Sequence, residues 1–152
     1  MKTKTWAAVT ALMLCSLPGL SQARDTTLNL PFDKVVAEAV STGKIDGSVK
    51  FYLAGNTPKG KVTVVSPDAV TNKKTNAFNK SDEEACAWAL QSALITLHDA
   101  AKKVGANAVT NIVTNIVSYY KRNETKSPTT YECHAGAFIG GVALKGDLSK
   151  VQ

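Results

Sequence analysis

The stretch SDEEACAWALQSALITLHDAAKKVG, residues 81–105, decides how the rest of the chain is read. Ser81 followed three positions later by Glu84 is the capping-box pattern, in which side chains satisfy backbone N–H groups left free at a helix start. Asp82, Glu83 and Glu84 complement the positive end of the helix dipole, and Lys102 and Lys103 the negative end. Gly105 supplies the stop. The spacing predicts a helix over 82–104. Its apolar face comprises Cys86, Leu90, Ala93, Leu94, Leu97, Ala101 and Val104, widened by Trp88 and Ile95. A face that broad is expected to cover a sheet.

Working outward, residues 24–30 read as an extended lead-in. A short helix is expected from Pro31, with Val35, Val36, Ala39 and Val40 on one face and a stop at Gly43. The runs 48–53 and 61–65 are rich in β-branched and aromatic residues and flank a loop holding Gly55, Asn56, Pro58 and Gly60, which predicts a β-hairpin. The polar stretch 68–80 reads as a long surface connection, and such loops often carry function. On the other side of the long helix, two strands are expected over 107–120 and 131–144, joined by a charged hairpin tip at 121–130. Gly136, Gly140 and Gly141 suggest bulges or close backbone approach. The expected fold is α+β, one domain with a long helix packed on a small antiparallel sheet in the order α-β-β-α-β-β.

A tandem tetrapeptide interrupts the ordinary texture of the first of those strands. Thr110-Asn111-Ile112-Val113 is followed by Thr114-Asn115-Ile116-Val117. Four is an even number, so a unit of this size preserves strand alternation. It lengthens a strand by roughly 13 Å.

The N-terminus has the three parts of a secretory signal: Lys2 and Lys4, an uncharged apolar run from Thr5 to Leu20, and the small-residue exit Ser21-Gln22-Ala23. A spanning helix needs about 20 apolar residues, and this run is shorter and broken by Pro18. Lipid attachment at Cys15 is disfavoured because the preceding residue is Leu14 rather than a small one. The expected organisation is a signal peptide over 1–23 and a single domain over 24–152, periplasmic or secreted, with no membrane span. Without Lys2 and Lys4 the formal charge falls from +6 to +4, 16 basic side chains against 12 acidic. The lysines are scattered and the arginines that remain are Arg24 and Arg122, whereas a nucleic-acid reader gathers its basic residues on one face. Nucleic acid is not an expected partner.

Cys86 and Cys133 remain after processing, and an even count in an oxidising compartment argues for a disulfide. It closes a loop of about fifty residues and stabilises by about 3–4 kcal/mol in the chain-entropy picture. The alternative is a metal or thiol-redox site using Cys86, Cys133 and His134, with His98 as a fourth ligand. It lacks the close C-x-x-C or H-x-x-x-H pair with which zinc sites are usually built.

Residues 55–62, GNTPKGKV, approach a phosphate-binding loop but fail it. Val62 stands where magnesium needs Ser or Thr, Pro58 lacks an N–H donor, and a strand is expected next instead of a helix. Nucleotide binding is excluded on those grounds. His98 and Asp99 are adjacent on a helix and point in different directions. No G-x-S-x-G or H-E-x-x-H occurs, so no catalytic residue and no cofactor are assigned. A hydrolase of envelope polymers acting through His98 or His134 stands as a further alternative.

Residues 72–86, NKKTNAFNKSDEEAC, with Gly105-Ala106-Asn107-Ala108-Val109, Ser118-Tyr119-Tyr120 and Tyr131-Glu132-Cys133-His134-Ala135-Gly136-Ala137, resemble a group of small exported bacterial proteins commonly labelled "excinuclease ATPase subunit". The label implies chemistry these residues do not carry, since the P-loop is incomplete and zinc-finger cysteines are missing. The helix followed by Gly-Ala-Asn-Ala-Val is also similar to the outer-membrane lipoprotein that senses envelope stress for the Rcs phosphorelay. That similarity implies a helix packed on a small antiparallel sheet and disulfides in the periplasm. The functional expectation is a non-enzymatic periplasmic or secreted binding or envelope-associated protein. Its partner would be an envelope or extracellular protein or polymer, contacted through Asn72, Lys73, Lys74, Asn76 and Phe78.

Overall fold

The computed structural model describes residues 24–117 and 122–152. The expected signal segment 1–23 lies outside them, as do residues 118–121, the end of the expected strand 107–120 and the first residue of the expected hairpin tip. The capped helix is present as α2, Asp82–Lys103, with Ser81 Oγ accepting from Glu84 N at 3.1 Å and Gly105 in the left-handed region at φ +72°. Before it come β1 (Thr26–Pro31), α1 (Phe32–Ser41), β2 (Lys50–Leu53) and β3 (Val62–Asn76). After it come β4 (Ala108–Val117), β5 (Arg122–Thr125), β6 (Thr130–Ala135) and β7 (Ile139–Val151).

This order corrects the expected α-β-β-α-β-β arrangement. Among the described residues the strands form a seven-stranded mixed sheet, and strand residues well outnumber helical ones. Its path runs β1-β6-β7-β4-β2, with β3 added on β7 and β5 on β4. All pairs are antiparallel except β2 with β4.

The expected β2–β3 hairpin does not form. Phe51 of β2 instead pairs in parallel with Val109, and Leu53 with Ile112. β3 runs along β7 from Val62 opposite Val151 to Asn76 opposite Ile139. Twelve of the fifteen residues of β3 pair in register along the thirteen of β7, whereas β2 has only four to offer. Satisfying backbone groups favours the longer partner.

For the same reason the polar stretch 68–80 is strand as far as Asn76, not a loop. Its side chains alternate, with Thr71 buried and Lys73 and Thr75 half-buried, while Asn72, Lys74 and Asn76 are exposed. A sheet with one wet face accommodates such a sequence. The expected strand 131–144 is two strands, β6 and β7, joined by a tight turn in which Gly136 N donates to Ile139 O at 2.8 Å.

α2 lies on one face of the sheet and buries Ala85, Cys86, Ala89, Leu90, Ala93, Leu94, Leu97 and Ala101. Val104 and Trp88, expected in that face, are exposed. α1 packs against α2 and β6, burying Phe32, Val35 and Ala39, while Val40 is exposed. Cys86 and Cys133 are joined by a disulfide with their Cα atoms 5.8 Å apart, tying the first turns of α2 to β6. Among the described residues no helix is long and apolar enough to cross a membrane.

Candidate functional site

Where α1 and the first turns of α2 diverge, they leave a groove of about 330 Å³ whose floor is Tyr131 of β6. Lys34 and Glu38, four apart on α1, face it from one side. Glu83, Glu84, Ala87 and Trp88 face it from α2, and the end of β1 closes it with Leu30 and Pro31. Tyr131, Cys133 and Ala135 alternate on the buried side of β6. The Cys86–Cys133 disulfide therefore fastens the α2 wall directly to the strand that carries the floor.

Tyr131 is 1% exposed and packs edge-on against Phe32, ring centroids 6.5 Å apart. Its hydroxyl is buried and has no hydrogen-bond partner among the described residues. Burial, and after it the negative charge of Glu38, pushes the phenol above its ordinary pKa, so it stays protonated. A hydroxyl withdrawn from water without a partner costs about 1–3 kcal/mol. A phenol hydroxyl carries one O–H donor and two lone pairs.

The rim carries Glu38, Glu83 and Glu84 against Lys34, and none of the four is in an ion pair among the described residues. Trp88 is 49% exposed, with the Lys44 ammonium 4.5 Å from its ring centroid. That ammonium also donates to Gln91 Oε1.

The residues expected to make a contact surface are only partly brought together. Lys74, Asn76 and Phe78 border an open patch with Thr75, Phe138 and Ile139, where the Phe78 and Phe138 rings stack at 6.4 Å. Asn72 is exposed further along β3, and Lys73 points to the opposite face.

The alternative Cys86, Cys133 and His134 set is split. The two sulfurs are bonded to each other, and His134, next in a strand to Cys133, projects to the other face. There its Nδ1 lies 3.0 Å from Asp25 and its Nε2 3.1 Å from Glu132.

His98 is buried, with Nε2 2.8 Å from Asp46 and, contrary to the expectation that these helix neighbours point apart, Nδ1 3.1 Å from Asp99. Asp46 also accepts from Lys102 Nζ and from Ser48, and Lys102 above all, then Ser48 and His98, holds its carboxyl well below the usual range. This cluster pins the α1–β2 connection to α2 and opens onto neither the groove nor the aromatic patch.

Reading the sequence alone missed Tyr131, Glu38 and the position of Trp88. The alternation Tyr131-x-Cys133-x-Ala135 signals one buried strand face. Nothing local tells that α1 and the first turns of α2 leave a groove above Tyr131. No family model matches this chain, nor does any curated protein or solved structure.

Proposed function

We propose that this chain is a non-enzymatic binding module working outside the cytoplasm, and that its ligand lies in the groove between α1 and α2 above Tyr131. The observation that carries this reading is the Tyr131 hydroxyl, buried and unpartnered at the base of a preformed concavity. Buried polar groups in folded proteins are nearly always paired. Thr71 Oγ1 and Asn115 Oδ1 are buried and unpartnered as well, but of the three only Tyr131 lies at the floor of a groove, where a ligand is able to satisfy it. The disulfide supports an oxidising compartment, in keeping with the export segment read at the N-terminus and with the resemblance to small exported proteins. A nucleophile–base pair is not assembled at the groove, whose titratable groups are carboxylates, one lysine and the phenol. That favours binding over turnover.

The test is amide NMR of the protein, expressed from the full sequence and recovered after export, against low-molecular-weight envelope extract. The expected shifts gather on residues 30–38, 83–88 and 131. Shifts confined to Phe78, Phe138 and Ile139, or no shifts at all, would overturn the groove as the site.

A further inference from the structure

We infer that the ligand of this groove is a small organic cation, an ammonium carried on an apolar body. This rests on the groove being the binding site, and names the chemistry it selects.

The first argument is charge. The chain carries a formal +6, yet the groove is lined by three carboxylates against the Lys34 ammonium, with the Lys44 ammonium over its Trp88 wall, and none of the three carboxylates is in an ion pair among the described residues. Local charge of one sign between low-dielectric walls attracts its opposite.

Two of the carboxylates have another explanation, since Glu83 and Glu84 sit in the first turn of α2, where the dipole favours acids. Glu38 lies in the last turn of α1, where a carboxylate opposes the dipole, and Lys34, four residues before it on the same face, makes no ion pair with it among the described residues. It directs negative charge at Tyr131, whose pKa it helps to raise.

The second argument is the phenol itself. Tyr131 is buried, unpartnered and protonated, and a lone pair of its hydroxyl is able to accept an N–H from a ligand that reaches the groove floor. An anionic ligand would meet Glu38 at the same point.

The third is Trp88. Its half-exposed indole borders the groove and holds the Lys44 ammonium over its ring, the cation–π geometry for which a ligand ammonium would compete with Lys44. Leu30, Val35 and Ala87 supply apolar surface for the ligand's carbon chain. A cavity of about 330 Å³ is at the small end for ligand pockets and sets the size.

The test compares three five-carbon probes that differ in charge: 1,5-diaminopentane, 1,5-pentanediol and glutarate. Each is titrated into the exported protein and followed by amide NMR and calorimetry. The diamine is expected to shift groove resonances, with the diol about tenfold weaker and glutarate without effect. Glu38→Gln, on the exposed rim, should weaken the diamine about threefold, and added salt should do the same. Tyr131→Phe keeps the ring packing and should also weaken it.

A fourth probe, Nα-acetyl-lysine N-methylamide, separates sources. Tighter binding by the free diamine assigns a free amine and tighter binding by the lysyl probe a peptide side chain, and either supports a cation. Equal or stronger groove binding by the diol or by glutarate overturns the cation while leaving the groove as a site. Absence of groove shifts with all four probes overturns the cation. Absence with the envelope extract as well removes the site itself. Diamine binding unchanged in both Glu38→Gln and Tyr131→Phe also sinks the proposal.

Discussion

Val109 and Ile112, three residues apart on β4, converge on the same point of β7. A Cβ placed on Gly146 would lie 2.9 Å from Val109 Cγ1, 3.0 Å from Ile112 Cγ1 and 3.2 Å from the Thr110 carbonyl oxygen. Residues three apart in a regular strand face opposite ways. Here the register slips between Thr110 and Val113, where the β4 step of three residues matches two on β7, Asp147 to Lys145. The bulge turns both side chains into the core. Gly146→Ala overpacks this contact, and we expect a loss of about 1–3 kcal/mol in denaturant unfolding. An unchanged midpoint would show that the β4–β7 contact is looser than described.

The bulge depends on one asparagine of the tandem repeat. Asn111 has φ +53° and is exposed, whereas Asn115 pairs in register with Glu124 and is buried. Asparagine tolerates the left-handed region better than other side chains that carry a Cβ. Asn111→Gly should leave stability nearly unchanged, while Asn111→Ala should cost about 1 kcal/mol. The pair of unfolding midpoints checks it, and equal midpoints for the two variants would argue against the bulge.

The Cys86–Cys133 bridge spans 47 residues. Replacing both cysteines by alanine should lower unfolding free energy by about 3–4 kcal/mol. Because the bridge joins the α2 wall to the strand of Tyr131, diamine affinity should fall even where the variant remains folded. Titration of the native protein with a thiol reagent should find neither Cys86 nor Cys133 reactive.

Acid should act through Asp46. Its carboxyl is held below the usual range by Lys102, then Ser48 and His98. A depressed folded-state pKa contributes stability that is complete above the unfolded value, about 4, and is lost as pH falls below it toward the folded value. Wild type should therefore lose stability progressively below about pH 4. Asp46→Asn should start lower and fall less over the same range. Parallel slopes for the two proteins would show that other carboxylates carry the acid sensitivity.

Local features were legible in advance. Ser81, the acids after it and Gly105 announce α2 because caps and dipole partners act within one turn. Gly43, at φ +72°, ends α1 as expected. Strand pairing was not legible, because β2, β3 and β7 have similar propensities and the choice among them depends on segments far apart in sequence. The polar run 68–80 shows the same limit. Asn72, Lys74 and Asn76 look like loop residues until β7 provides a ladder that leaves one face wet. Within the site, the disulfide was foreseeable from two cysteines, but Trp88 was assigned to the core because periodicity puts it at the border of the apolar face.

What the sequence by itself determined is the set of elements whose causes are local: the two helices with their limits and a pair of cysteines able to bond. What only the tertiary structure decided is which strands meet and where coverage fails. Pairing depends on backbone groups finding the longest matching partner. The groove depends on α1 leaving the phenol of Tyr131 dry and unpaired beside Glu38 and Trp88. Those are relations between distant surfaces, and no single segment encodes them.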